Sequence, residues 1–210
     1  MRIRGVDGFC KRQLTLSWTR RSICPNCSSR GGFTQCRIWF GTRNRLGSAD
    51  ESASNSEKIL INLVNASISG DTTSGGVSRL AALLQQHRPQ VLLIELGGND
   101  ALRGLSLTMT ENNLRRMALA GKNAGSKVML VAIQVPPNYG EKYRQQMDAI
   151  YLKVAKETGS QLNQQFLKGV ADDADPLKFF QADKIHPNEA AQMLIMKNVW
   201  PQLKKMLRPP

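Results

Sequence analysis

The stretch Val91 to Asp100, VLLIELGGND, constrains this chain more than any other. Five of its first six residues are apolar, Glu95 being the exception, and the run stops at Gly97-Gly98. An apolar run without alternation, closed by glycines, fits a strand buried on both faces, as in parallel sheets that carry helices on each side. Ligands of open α/β sheets bind beyond the carboxyl ends of the strands. Asn99, an amide placed directly after such an end, is therefore the first candidate functional residue.

The flanking segments repeat the pattern. Ile59 to Val64 reads as a strand running into NASISGDT, Asn65 to Thr72, where Gly70-Asp71-Thr72 closes the loop and offers helix-capping groups. Val77, Leu80, Ala81, Leu83 and Leu84 then recur at helical spacing, and Pro89 marks the exit before the Val91 strand. The next helix is expected to start at a Thr108 or Thr110 cap, to bury Leu114, Met117, Ala118 and Ala120, and to end at Gly125. Val128 to Ile133 is a further apolar run, followed by the proline-stiffened loop QVPPNYG, Gln134 to Gly140, and a helix from about Lys142 to Thr158. A strand is expected near Gln161 to Leu167, a loop around Asp172, Asp173 and Asp175, and a last helix after His186-Pro187-Asn188 that buries Ala191, Leu194, Ile195, Val199 and Trp200. Strands alternating with helices define an α/β protein, a parallel sheet with helices on both faces.

The N-terminal part reads differently. With 210 residues and 41% apolar content the chain can build one domain with a sizeable core. Its net charge of +13 would ordinarily point to a polyanion, but residues 1–45 hold ten Lys or Arg against the single acid Asp7, leaving 19 basic and 15 acidic residues elsewhere. Residues 1–56 show no helical or strand period beyond Ile38-Trp39-Phe40 and are expected to be a poorly ordered basic segment, with the domain proper at 57–210. All four cysteines fall there. Cys24 and Cys27 have zinc-knuckle spacing, yet Cys10 and Cys36 supply no second pair, so unpaired thiols rather than a metal site are expected. Nothing aromatic or periodic in this arm argues for a dedicated nucleic-acid site. The chain lacks a run of about 18 apolar residues and, after its positive start, the apolar stretch of about 7 to 15 residues that a secretory signal needs. As written, it reads as a cytoplasmic chain without a transmembrane segment.

Three blocks, NASISGDT, ELGGND and DKIHPN, resemble blocks II, III and V of the SGNH (GDSL-type) hydrolases. Block order, block spacing and the PPNYG loop agree over about Leu60 to Leu207. The resemblance implies a three-layer, flavodoxin-like fold and hydrolysis of acyl esters and thioesters, including acyl-CoA thioesterase, arylesterase and lysophospholipase activity. It also implies small-molecule acyl substrates, no metal or organic cofactor, and a periplasmic location at odds with this N-terminus. Residue by residue, it implies that His186 is the general base, that Asp183 orients its imidazole, and that the Gly70 N–H and the Asn99 amide stabilise the oxyanion. These are the roles that acyl transfer requires around a nucleophile. Each group alone has a plainer reading: Asp183 and His186 as a helix cap with a surface histidine, Gly70 and Gly97-Gly98 as turn glycines, Asn99 as a left-handed turn residue. Order and spacing together favour the site. The other histidine, His87, reads as a surface residue at a helix end.

The family's nucleophile is the serine of a GDS motif at the end of the first strand, and no GDS occurs in this chain. RIWFGTRNRLGSADES, Arg37 to Ser52, stands where it should be. Cys36 lies nearest by counting, and Ser48 and Ser52 are the nearby hydroxyls. Ser48 follows a glycine but lacks the acidic neighbour and the preceding apolar strand. Back-translated one base earlier, Ile38 to Gly47 permits Asp, Ser, Ser, Ala and Gly in the places where the family text resembles LGDSLSAG, though not the glycine before Asp. A frame error would account for a basic, aperiodic start. A first strand lost in this way would, unless Ile38-Trp39-Phe40 fills its place, open a gap between its two neighbours and leave a marginally stable fold. The rival to an impaired hydrolase is a non-catalytic protein that binds an acyl chain or, through its basic arm, a polyanion.

Overall fold

Buried residues of the two most apolar strands divide by parity, as side-chain alternation along a strand requires. Strands β4 (Val91–Glu95) and β5 (Lys127–Val131) pair in parallel, with Val91 opposite Lys127 and Ile94 opposite Leu130. Leu92, Ile94, Val128 and Leu130 enter a core shared with helices α1 (Thr73–His87), α3 (Leu107–Asn123) and α4 (Glu141–Thr158). Val91, Met129 and Val131 enter a second core, built with Phe166, Leu167, Val170 and helix α5 (Gln192–Leu207). Both faces are thus covered, and the three-layer α/β architecture expected from the sequence is present.

This computed structural model describes residues 13–15, 37–43 and 60–208. Among the described residues the sheet has six strands in the order β1-β3-β2-β4-β5-β6, where β1 is Gln13–Thr15, β2 Arg37–Arg43, β3 Leu60–Asn65 and β6 Gln161–Asn163. Leaving aside the short edge strand β1, this is the flavodoxin-like order, with β2 in the first-strand position between β3 and β4.

Strands β3, β4, β5 and β6 run in parallel as expected, but β2, the strand that the sequence left in doubt, pairs antiparallel with both neighbours, Phe40 lying opposite Val64 on one side and Leu92 on the other, and the edge strand β1 is antiparallel to β3. A reversed strand satisfies the backbone groups of its neighbours as fully as a parallel one does, so the place is filled and no ladder is left open. What reversal changes is which end of the strand lies at which edge of the sheet.

Local boundaries differ where side chains compete with the backbone. Helix α3 starts earlier than expected because the Ser106 hydroxyl, not that of Thr108 or Thr110, accepts the Met109 N–H at 3.4 Å. Strand β6 stops at Asn163, whose amide oxygen takes the Gln165 N–H at 3.1 Å while its nitrogen donates to Gln202 Oε1 at 2.8 Å. A helix of five residues, α2 (Gly98–Leu102), was not foreseen, and it places Asn99 in a helical turn rather than a bare loop.

Candidate active site

The loop between β3 and α1 is held from both flanks. Asp71 N–H donates to Ile68 O at 3.3 Å, closing a turn in which Gly70 has φ +73°, a conformation that favours glycine at that place. Arg79, in the second turn of α1, donates through Nη1 to Ala66 O at 2.5 Å and through Nε to Asp71 Oδ2 at 3.0 Å. The carboxylate of Asp71 also accepts the Thr72 N–H at 2.9 Å, and the Thr72 side chain caps α1. Among the described residues none accepts the Gly70 N–H, which leaves it available to a ligand.

Asn99 approaches this loop from the end of β4. Gly97, with φ +118°, turns the chain out of the strand, and the buried Tyr151 hydroxyl donates to Leu96 O at 2.6 Å, pinning the strand end. Asn99 Nδ2 donates to Asp71 O at 3.0 Å. The next residue, Asp100, is buried and anchors α1: its carboxylate accepts the Thr73 N–H at 2.9 Å and the Thr73 hydroxyl at 2.5 Å, with the Thr110 hydroxyl at 3.3 Å. Asn113 closes the network by donating to Thr73 Oγ1 at 3.0 Å. These bonds lock the Gly70 loop to the Asn99 turn. Gly70 and Asn99 are therefore brought together.

Asp183 and His186 form the second pair. A tight loop runs from Gln181 to His186, closed by Gln181 N–H donating to His186 O at 2.8 Å and Asn188 N–H donating to Phe179 O at 2.8 Å. Asn188 adds side-chain bonds to Lys178 O and Phe180 O, and Lys184 takes the left-handed conformation at φ +59°. Within this frame Asp183 Oδ1 accepts the N–H groups of Ile185 and His186 at 2.9 and 3.0 Å, while Oδ2 lies 2.6 Å from His186 Nδ1. Burial works to raise the Asp183 pKa, but the His186 N–H, the His186 ring and the Ile185 N–H outweigh it and hold the carboxyl at about 2. A carboxylate accepts hydrogen bonds only, so this contact calls for the proton on Nδ1 as its donor. Asn188, not Asp183, caps the helical turn that follows, accepting the Ala190 N–H at 2.9 Å, so the plainer cap reading does not describe Asp183.

The first-strand position completes the picture. At the carboxyl edge of β3 and β4, the residues of β2 in register are Trp39 opposite Asn65 and Arg37 opposite Glu95. Strand β2 therefore presents its beginning at the edge that carries Gly70 and Asn99, and it leaves the sheet through Arg43 at the opposite edge. Cys36, Ser48, Ser52 and the Cys24–Cys27 pair lie outside the described residues. His87 is half-buried in the last turn of α1 rather than fully at the surface. Among the described residues no cluster of His, Cys, Asp or Glu could hold a metal, and no helix is long and apolar enough to cross a membrane.

The residues that brace the site, Arg79, Asp100, Thr73 and Arg103, were not singled out from sequence. Only the helical spacing from Asn99 to Arg103 could have hinted at one of them, because their partners, backbone and side-chain groups alike, are mostly supplied by tertiary contact.

A three-layer α/β fold of this strand order, with these polar groups beyond its strands, defines the class of SGNH-type hydrolases. Comparison with known proteins is specific. Residues 41–194 match the GDSL-like Lipase/Acylhydrolase family. Esterase TesA of Pseudomonas aeruginosa is 46% identical over 145 residues, which cover 69% of this chain and 71% of that protein. Thioesterase 1/protease 1/lysophospholipase L1 of Escherichia coli strain K12 is 43% identical over 145 residues, 69% of this chain and 68% of that protein. The crystal structure of TesA superposes with a TM-score of 0.65 at 46% identity, over 69% of this chain and 78% of that one. The psychrotrophic esterase EstA from Pseudoalteromonas sp., inhibited by monoethylphosphonate, superposes with 0.63 at 37% identity, over 69% and 77%. The chain belongs to the GDSL-like lipase/acylhydrolase family, and by family it is a hydrolase.

Proposed function

We propose that this chain derives from esterases and thioesterases that hydrolyse acyl esters and acyl-CoA-type thioesters, and that it retains their base and oxyanion groups without their nucleophile. The observation that carries the reading is the His186–Asp183 pair. Its ring nitrogen lies 2.6 Å from a carboxylate whose other oxygen is held by two backbone N–H groups. In the complete reaction a serine hydroxyl adds to the acyl carbonyl carbon and its proton passes to His186 Nε2. The carbonyl oxygen, now an oxyanion, takes hydrogen bonds from the Gly70 N–H and the Asn99 amide. The alcohol or thiol then leaves with the proton from Nε2, and water repeats the sequence to release the acid. No step draws on a metal or an organic cofactor.

Strand reversal supports the second half of the reading. The family's nucleophile belongs at the carboxyl end of the first strand, beside Gly70 and Asn99, whereas β2 exits at the far edge. Without the serine, His186 can activate only water, and the oxyanion donors and binding alone give on the order of 10³ to 10⁴ over water. A short p-nitrophenyl ester tests this: hydrolysis near background is expected. Turnover within tenfold of an intact relative, abolished by Ser48→Ala, would overturn it. Resequencing the gene across codons 1 to 65 separates a frame error from a genuine reversed strand. An intact frame there, with stops throughout the shifted one, would leave only the latter.

The concentration of charge in residues 1–45 favours a second reading, a non-catalytic acyl-chain or polyanion binder. Salt-sensitive binding to a polyanion such as heparin, lost on deleting those residues, would select it.

A further inference from the structure

Two consecutive carbonyls of the Gly70 loop are held by two side chains of one helical turn. Asn99 Nδ2 donates to Asp71 O at 3.0 Å, and Arg103 Nη2 donates to Gly70 O at 2.9 Å. Asn99 and Arg103 stand four residues apart, and the Arg103 N–H itself donates to Asn99 O at 3.1 Å, so they rise from the same turn. Among the described residues, no carboxylate pairs with Arg103, whose side chain lies on the surface. Among the described residues its side chain makes one hydrogen bond, the one to Gly70 O.

We propose that Arg103 is the positioning residue of the oxyanion loop: its guanidinium fixes the Gly70–Asp71 peptide relative to Asn99 and, through the φ and ψ of Gly70, narrows the directions open to the Gly70 N–H of the preceding peptide. The physical reason lies in glycine itself. At φ +73° Gly70 has no Cβ to restrict it, and a glycine in a surface turn samples both signs of φ readily. A donor must nevertheless point in one direction before the reaction begins if it is to stabilise developing charge without reorganisation. The bond from Asp71 N–H to Ile68 O, long at 3.3 Å, restrains one side of that peptide, and Arg103 restrains the other. A charged donor makes a shorter and stronger bond to a carbonyl than a neutral one, which suits an exposed position where water competes. Arg79 and Asp71 brace the loop's far flank and Asn99 holds the Asp71 carbonyl, while Arg103 adds the side-chain bond to the glycine's own carbonyl.

The inference rests on Gly70 and Asn99 being the oxyanion donors, but its test needs no turnover. Backbone amide spectra and hydrogen exchange of the full chain are compared for the parent, Arg103→Ala and Arg103→Lys. Arg103→Ala is expected to shift or broaden the Gly70 and Asp71 amide resonances and the Asn99 side-chain amide, and to speed exchange of the Asp71 N–H at least fivefold, with Tm unchanged. Arg103→Lys, which keeps one charged donor, is expected to recover most of both effects. Unchanged Gly70 and Asp71 resonances in Arg103→Ala would overturn the proposal. So would changes spread through the molecule with a fall in Tm, or a lysine variant no closer to the parent than alanine. Failure to hydrolyse an ester would bear on the proposed function alone, because these spectra are recorded without substrate.

Discussion

His186 and Asp183 carry the most direct residue-scale expectations. The Asp183 carboxyl is depressed to about 2, so its folded-state contribution is present above its unfolded value near 3.8 and is lost as pH falls through about 2. Acid titration followed by carboxyl NMR should find Asp183 still ionised at pH 3, where an ordinary aspartate is mostly protonated. Asp183→Asn should remove that part of the acid sensitivity and release the imidazole from one tautomer. Tyr143 offers a test of opposite sign. Its hydroxyl is buried without a hydrogen-bond partner among the described residues, and burial, with Asp100 and then Tyr139 nearby, pushes its pKa up. An unsatisfied buried hydroxyl costs about 1 to 3 kcal/mol, so Tyr143→Phe should leave Tm unchanged or raise it in a thermal melt. The catalytic candidates were legible because their chemistry is local: DKIHPN contains both members of its pair within four residues, and the loop closes on itself. Arg103 was not legible, because an arginine whose partner is a glycine carbonyl 33 residues away leaves no mark in composition or period.

At the scale of elements, two contacts decide how the site is assembled. Asp100 joins α1, α2 and α3 through the Thr73 N–H and the Thr73 and Thr110 hydroxyls. Asp100→Ala would strand those donors in a buried place and should cost about 3 kcal/mol or more in denaturant unfolding, since each lost partner carries its own desolvation penalty. Gly121 lets α3 approach the sheet. A Cβ there would meet Leu92 Cδ2 at 2.6 Å and Val128 Cγ2 at 2.9 Å. Alanine gains about 1 kcal/mol of helix propensity over glycine, but overpacking costs about 1 to 3 kcal/mol. Gly121→Ala is therefore expected to destabilise on balance. Helices were read well from apolar spacing. Their starts were read less well, since Ser106 outcompeted Thr108 and Thr110 for the cap and α2 is too short to show a period.

For the whole molecule, the decisive feature is the reversed β2 in the middle of the co-directional strands β3, β4, β5 and β6. Native-state hydrogen exchange should find the strongest protection in β4 and β5, buried in both cores, and the weakest central-strand protection in β2. Equal protection across β2, β4 and β5 would mean that the reversed strand is as well fitted as its neighbours. By itself the sequence determined the three-layer plan, the strand ends that bear Gly70 and Asn99, the pairing of Asp183 with His186, and the absence of a GDS serine. The first two follow from hydrophobic period and local spacing, which are properties of contiguous residues, and the last two from the resemblance of the sequence blocks to the SGNH hydrolases. Only the tertiary structure decided which way the first-strand position is filled, because RIWFGTR satisfies a ladder in either direction and its direction depends on the strands beside it. It also decided what holds the VLLIELGGND turn against the Gly70 loop, since those bonds run between backbone groups and side chains far apart in the chain.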